Sequence, residues 1–213
     1  MRTSTNNAAL ASYLSPQSAI ADTYRSLMTN ISHISKETEM RCILVASVHG
    51  KEGATTTASN LAVAYAQAGR KVLLVDMSWR SPNLHQVYSL QNHKGTTDIW
   101  YRNLNWRDMV KDTDIAKLFV MTSGSKPDKT SNLFSARHVE RFLAEAREEY
   151  EVIIIDSSPV LESADSKILA ALSDGVLLVV KEGKTKKPEA AKALKELDYV
   201  HARVIGTVIK QRK

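Results

Sequence analysis

The feature that most constrains the fold is a glycine-containing loop between an apolar run and a helix-like run. Residues 41–47 read RCILVAS, the following loop contains Gly50 and Gly53, and a helix-like run covers residues 57–68. A buried strand, such a loop and a helix in this order are typical of a phosphate-binding loop, because loop amides and a helix N-terminus both attract phosphate. The sequence therefore predicts an anion site at the end of the first strand.

This loop matches the motif G-x-x-x-x-G-K-[ST] only in part. Gly53 and Thr55 stand at the second glycine and the hydroxyl residue, but Ala54 stands at the lysine and Val48 at the first glycine. The backbone still suits phosphate, and the Thr55 hydroxyl suits Mg²⁺. The predicted nucleotide-binding residues are Gly50, Lys51, Gly53, Ala54, Thr55 and Thr56. Because Ala54 supplies no charge, a swing of Lys51 into the site is an alternative that the sequence leaves open.

Apolar runs and helix-like runs alternate along the rest of the chain. The strand-like runs lie at residues 41–47, 71–76, 117–122, 151–156, 175–180 and 204–209. The helix-like runs lie at residues 57–68, 136–150, 164–172 and 188–199. Continuous Val, Ile and Leu strands separated by helices are typical of a parallel sheet covered on both faces. The predicted fold class is α/β, with a mainly parallel central sheet between two layers of helices.

Two aspartates stand at the ends of predicted strands. Asp76 ends the second strand-like run and Asp156 the fourth. Ligands of parallel sheets bind at the carboxyl ends of the strands, so both side chains are expected beside the loop. A carboxylate there holds Mg²⁺ or accepts a proton from an attacking hydroxyl. We interpret Asp76 and Asp156 as catalytic candidates and, with Thr55, as metal ligands.

Length and composition indicate one soluble domain. The 213 residues divide into an N-terminal arm with a helix (1–40) and an α/β core (41–213). Cys42 is the only cysteine, so no disulfide forms within the chain. No apolar run approaches the roughly 20 residues that a membrane helix needs. These features predict a cytoplasmic protein.

The positive charge is concentrated near the C-terminus. The net charge is +6, and residues 181–213 contain ten Lys or Arg against four Asp or Glu. Such a segment attracts anionic lipid, nucleic acid or an acidic partner. Tyr199 is its only Phe, Tyr or Trp, which argues against single-stranded nucleic acid as a ligand.

Four motifs occur in an order that points to a family. Residues 15–31 resemble S-P-x-x-x-x-E-x-Y-R-x-L-R-T-N-I, and residues 76–82 resemble D-x-D-x-R-x-P. Residues 156–159 resemble D-[ST]-P-P, and residues 165–180 resemble D-A-x-x-L-A-x-x-x-D-G-x-L-L-V-V. On these motifs the chain resembles the bacterial tyrosine kinases of polysaccharide assembly. These kinases are a branch of the deviant P-loop ATPases that includes the MinD and ParA proteins.

This resemblance implies a fold, a cofactor and partners. It implies a three-layer P-loop NTPase fold that binds Mg-ATP or Mg-ADP, and phosphoryl transfer to tyrosine. It also implies docking on a transmembrane polysaccharide chain-length regulator, at the inner face of the cell membrane. Asp22 and Arg25 match two of three residues that support assembly of the family's ring, so a homo-oligomer is expected.

Several departures from the family pattern affect the same functions. Ala54 replaces the phosphate-loop lysine, Ser78 the second aspartate of D-x-D, and Lys210 the asparagine that faces adenine in related ATPases. Met28 replaces the third assembly residue, and no tyrosine follows Tyr199, where the family has a tyrosine-rich tail. Together they favour a degenerate kinase that acts by binding the membrane regulator or an active kinase paralogue.

Two other hypotheses remain open from the sequence. In one, the chain is a weakly active tyrosine autokinase, with Asp76 as base or metal ligand and Lys51 in place of the missing lysine. In the other, it is a positioning protein of the ParA or MinD type that binds DNA or membrane through its basic end.

Overall fold

A single sheet forms the centre of the molecule. The computed structural model describes residues 9–34, 40–125 and 135–211. The strands in these ranges are β1 Cys42–Ser47, β2 Val72–Met77, β3 Val110–Asp112, β4 Leu118–Met121, β5 Val152–Ser157, β6 Gly175–Lys181 and β7 Val204–Lys210. Their order in the sheet is β3-β4-β2-β5-β1-β6-β7. Each neighbouring pair is parallel except β3 with β4.

Helices cover both faces of this sheet. They are α1 Ala11–Leu14, α2 Ala19–Ile34, α3 Ala54–Gln67, α4 Leu84–Val87, α5 Thr96–Tyr101, α6 Ala136–Glu149, α7 Ala164–Leu172 and α8 Lys187–Tyr199, with a 3₁₀ helix at Trp106–Met109. Residues of α3 pack on one face and residues of α6, α7 and α8 on the other. In the described ranges, no helix has the length and apolar character needed to span a bilayer. The predicted three-layer α/β architecture is confirmed.

The first turn of α3 departs from the sequence prediction. The helix begins at Ala54, three residues before the predicted start at Thr57. Three consecutive threonines hide the start from sequence reasoning, since β-branched residues lower helix propensity. The loop residues Ala54, Thr55 and Thr56 therefore belong to the helix N-terminus, where backbone N–H groups have no partner within the helix.

Short elements also escaped the prediction. β3 has three residues at an edge of the sheet, with the polar sequence VKD, so it lacks the apolar pattern of the other strands. The helices α1, α4 and α5 span four to six residues each. Elements of this length carry too few periodic positions to be recognised.

The N-terminal arm packs on its own chain. Tyr24 and Ile31 of α2 are buried, and Ile31 belongs to the cluster that contains the apolar face of α3. The Asn60 side chain of α3 accepts the N–H of Ser12 (2.8 Å) and donates to the carbonyl of Ala9 (2.8 Å). These contacts place the described part of the arm on the core of its own chain.

The strand that carries the loop is fixed at its start by one carboxylate. Asp174, directly before β6, accepts the backbone N–H groups of Arg41 (2.9 Å) and Cys42 (2.7 Å). The same carboxylate pairs with the Arg147 guanidinium of α6 at 2.8 and 2.9 Å. Since β1 lies between β5 and β6 with all six residues buried, the loop emerges from a fully buried interior strand.

Candidate functional site

The phosphate-binding loop has two left-handed residues. Lys51 has φ 62° and Gly53, the residue before α3, has φ 102°. Glycine adopts this region without strain, whereas a residue with a Cβ does so at a cost. The loop backbone thus turns into the N-terminus of α3 as in a phosphate-binding loop, although a lysine stands at one of its glycine-like positions.

A cavity of about 670 Å³ opens at this loop. Its wall contains all six predicted nucleotide-binding residues: Gly50, Lys51, Gly53, Ala54, Thr55 and Thr56. The rest of the wall comes from Ser47 and Glu52, from the segment after β2, and from the end of β5 and the segment after it: Ser78, Ser81, Pro82, Asn83, Ser157, Pro159 and Glu162. The carboxyl ends of β1, β2 and β5 therefore meet at one site, as the sequence predicts.

Asp76 and Asp156 lie side by side in this edge of the sheet. They are register partners in the parallel pair β2 and β5, and both are buried. Asp76 accepts backbone N–H groups from Ser78 (3.0 Å), Asn83 (3.1 Å) and Leu84 (3.1 Å). Burial raises the pKa of Asp76 to about 6, and these N–H groups, that of Leu84 most strongly, limit the rise.

Asp156 is the less satisfied of the two carboxyl groups. Neither of its oxygens has a hydrogen-bond partner within the described part of the chain. Burial raises its pKa well above the ordinary value, the neighbouring charge of Asp76 raises it further, and the Thr55 side chain opposes the rise. A buried polar group without a partner is costly, so Asp156 is positioned to receive a proton or a cation.

The donor set at this point fits Mg²⁺. Thr55, Asp76 and Asp156 offer hydroxyl and carboxylate oxygens, which are the ligands that this ion prefers. No cluster of three or more His, Cys, Asp or Glu side chains in residues 9–34, 40–125 and 135–211 forms a metal cage. Mg²⁺ is usually held by one or two carboxylates together with substrate phosphates, so a full cage is not required.

The position of the motif's lysine is occupied by a small apolar side chain. Ala54 is the first residue of α3 and is 8% exposed. Lys51 is exposed. The loop wall therefore lacks the buried cation that the motif supplies at residue 54.

Two other lysines contact the loop, and sequence reasoning missed both contacts. The Lys184 ammonium donates to the carbonyl of Gly50. The Lys210 side chain passes 3.4 Å from the point where a Cβ on Gly53 would lie, and its ammonium donates to the Tyr24 hydroxyl (3.2 Å). The sequence showed Lys210 only as a departure at the adenine-facing position.

Two departures from the family pattern contact each other. The hydroxyls of Ser78 and Ser158 lie 3.5 Å apart, and both residues are buried. Ser78 stands where D-x-D has its second aspartate, and Ser158 where D-[ST]-P-P has its first proline. The substitutions thus replace a charged group by a neutral hydroxyl pair beside the cavity.

The two residues of the predicted oligomer contact do not line the cavity. Asp22 and Arg25 form an ion pair on α2, with 66% and 41% of their side chains exposed. Their role in assembly stays a prediction.

Comparison with known sequences identifies the family. The sequence pattern of the AAA domain family matches residues 40–204. The tyrosine-protein kinase YwqD of Bacillus subtilis is 35% identical over 198 residues, which are 93% of this chain and 84% of that protein. This chain belongs to the bacterial tyrosine kinases. The succinoglycan biosynthesis transport protein ExoP of Rhizobium meliloti is a more distant relative of this chain. It is 24% identical over a match that covers 91% of this chain and 25% of ExoP.

Solved structures share the fold of this chain. The crystal structure of the chimerical protein CapA2B2 is 30% identical, has a TM-score of 0.89, and matches over 96% of this chain and 90% of that one. The septum site-determining protein MinD of Pyrococcus horikoshii, solved with Mg-ADP, has a TM-score of 0.68 at 21% identity, over 79% of this chain and 69% of that one. At that identity the likeness concerns the fold alone.

Proposed function

We propose that this chain is a kinase-family protein of exopolysaccharide or capsule assembly that acts by binding another protein, not by turning over ATP. The observation that carries the proposal is Ala54, which leaves a complete loop, cavity and aspartate pair without the cation that contacts the transferring phosphate. A hydrogen bond to a charged group contributes about 1.5–3 kcal/mol, and loss of a group that stabilises transferring charge slows reactions on the order of 10²–10³-fold.

The partner we propose is a transmembrane chain-length regulator of polysaccharide synthesis or an active kinase paralogue. The name of the relative ExoP supports a polysaccharide role, and membership of the kinase family supports docking on such a partner. The chain would then work on the cytoplasmic side, held at the inner face of the membrane by that partner. A homo-oligomer through Asp22 and Arg25 belongs to the same proposal.

Titration with Mg-ADP and Mg-ATP, beside the variant Ala54→Lys, tests the nucleotide part of the proposal. We expect the native protein to bind weakly and Ala54→Lys to bind at least about tenfold more tightly, because a lysine there restores a charge-assisted contact. Calorimetry measures both affinities. Native binding as tight as that of the variant would show that another residue replaces the lysine, and Lys51→Ala would be measured next.

A second candidate function, weak tyrosine autophosphorylation, is favoured by the arrangement of Thr55, Asp76 and Asp156. These side chains fit Mg²⁺, and Asp156 is free to accept a proton. Mass spectrometry after incubation with Mg-ATP separates the two functions. Phosphotyrosine in the native protein that disappears in Asp156→Asn would establish the kinase, and its absence, with retained binding to the membrane partner, would support the binding protein.

A further inference from the structure

A carboxylate of the chain itself lies on the phosphate-binding loop. Glu162, in the segment between β5 and α7, accepts the backbone N–H of Gly50 at 3.0 Å. The same oxygen lies 3.3 Å from His49 Nδ1. Glu162 and Gly50 both line the 670 Å³ cavity. A negatively charged oxygen therefore already uses one of the loop amides that a phosphate would use.

Contacts from three segments hold this arrangement in place. The Glu162 backbone is fixed in a turn through its N–H bond to the Pro159 carbonyl (3.1 Å). On the other side of the imidazole, His49 Nε2 lies 3.6 Å from a carboxylate oxygen of Glu189, in the first turn of α8. The Lys184 ammonium holds the carbonyl of Gly50. The loop amide and Glu162 are thus held together by more than a single exposed ion pair.

A second carboxylate satisfies the preceding amide. Glu52 is buried, accepts the His49 N–H at 2.9 Å and accepts the Thr185 hydroxyl at 2.6 Å. Glu52 is a fixed part of the loop, whereas about half of the Glu162 side chain is exposed. Of these two acids, Glu162 is the one that can leave without disrupting the interior.

We propose that Glu162 is an internal competitor for phosphate, which occupies the Gly50 amide and lowers the affinity of the loop for polyphosphate ligands. An incoming phosphate must displace this carboxylate or tolerate its charge, and Ala54 offers no cation to offset the repulsion. The inference rests on the proposed function, because it explains how a protein that acts by binding another protein can keep the phosphate-binding loop and still bind nucleotide weakly. Glu162 then sets which ligands the site accepts.

Titration of the native protein, Glu162→Gln and Glu162→Lys with inorganic pyrophosphate and with Mg-ADP tests the proposal. Glutamine keeps an oxygen for the Gly50 N–H but removes the charge. Since the side chain is half exposed, we expect Glu162→Gln to bind pyrophosphate about fivefold more tightly at low ionic strength, and Glu162→Lys more tightly still. The gain should shrink in high salt, which screens exposed charges.

The matched control is Glu140→Gln, which makes the same change of net charge at an exposed position of α6. It should bind as the native protein does, and urea titration should show that all variants remain folded. The proposal is wrong if Glu162→Gln binds no more tightly than Glu140→Gln, or if pyrophosphate binds to none of the proteins. Phosphotyrosine in the native protein would overturn the proposed function but not the Glu162 proposal. The pyrophosphate affinities of the variants decide the Glu162 proposal on their own.

Discussion

At the scale of single residues, the site keeps the backbone of a phosphate-binding loop and changes its charges. Gly53 retains the left-handed turn into α3, while Ala54 removes a cation and Glu162 adds an anion beside Gly50. Ser78 and Ser158 replace a carboxylate and a ring by two hydroxyls in contact. Side chains at this site therefore vary over a constant main chain, because the amides are held by strand and helix ends.

Lys51 gives a residue-scale prediction, since its φ of 62° favours glycine. We expect Lys51→Gly to raise the free energy of unfolding by about 1 kcal/mol, because glycine removes the strain of the left-handed conformation. The matched control is Lys192→Gly in α8, where glycine should cost about 1 kcal/mol in a helix interior. Urea denaturation measures both. Destabilisation by both substitutions would mean that the lysine stabilises the loop by contacts of its own.

At the scale of elements, the sheet depends on the carboxylate at the start of β6. Asp174 joins β1, β6 and α6: it accepts two backbone N–H groups at the start of β1 and forms a bidentate ion pair with Arg147 of α6. Because 80% of this side chain is shielded from solvent, its bonds are stronger than those of surface pairs. This contact fixes the start of β1, the strand that leads into the loop.

Removal of the Asp174 carboxylate should lower the stability of the fold. We expect Asp174→Ala to lower the free energy of unfolding by about 3 kcal/mol, since donors at the start of β1 lose a charged acceptor. Asp22→Ala, which breaks the exposed pair with Arg25, should cost less than about 1 kcal/mol. Equal losses in urea denaturation would contradict the role given to Asp174.

The same scale shows what the sequence could and could not predict. Apolar runs predicted six strands correctly because each is rich in apolar residues, including the partly exposed edge strand β7, and the strand ends placed Asp76 and Asp156 beside the loop. The contact of Glu162 with Gly50 joins residues 112 positions apart, so no local pattern reveals it. Its position shortly after a strand end was the only clue that it lies at this edge.

At the scale of the whole molecule, two buried carboxyl groups tie global stability to pH. The pKa of Asp76 rises from the ordinary 3.8 to about 6, and burial and the charge of Asp76 raise that of Asp156 well above its ordinary value. A carboxyl whose pKa is raised on folding binds more protons in the folded state. Its contribution to stability is therefore fully present below the unfolded pKa and is lost as pH rises through the folded pKa.

This linkage predicts the effect of Asp156→Asn. At pH 7.5 the variant should be more stable than the native protein by about 1–3 kcal/mol, because it removes a buried group that ionises without a partner. At about pH 3, below the unfolded pKa of 3.8, the carboxyl holds its proton in both the folded and the unfolded state, and the difference should nearly vanish. Urea denaturation across this range measures it, and a difference that is independent of pH would refute the assignment of the titration to this pair.

The interior position of β1 has a consequence for how such a chain changes over generations. The strand that presents the loop is enclosed by β5 and β6, and its anchoring depends on Asp174, not on the loop side chains. Substitutions at exposed positions of the cavity wall, such as Lys51, Ser81 and Glu162, therefore leave the interior almost untouched. Over generations, the residues at this edge can therefore be substituted one at a time, and each intermediate sequence keeps the same folded scaffold.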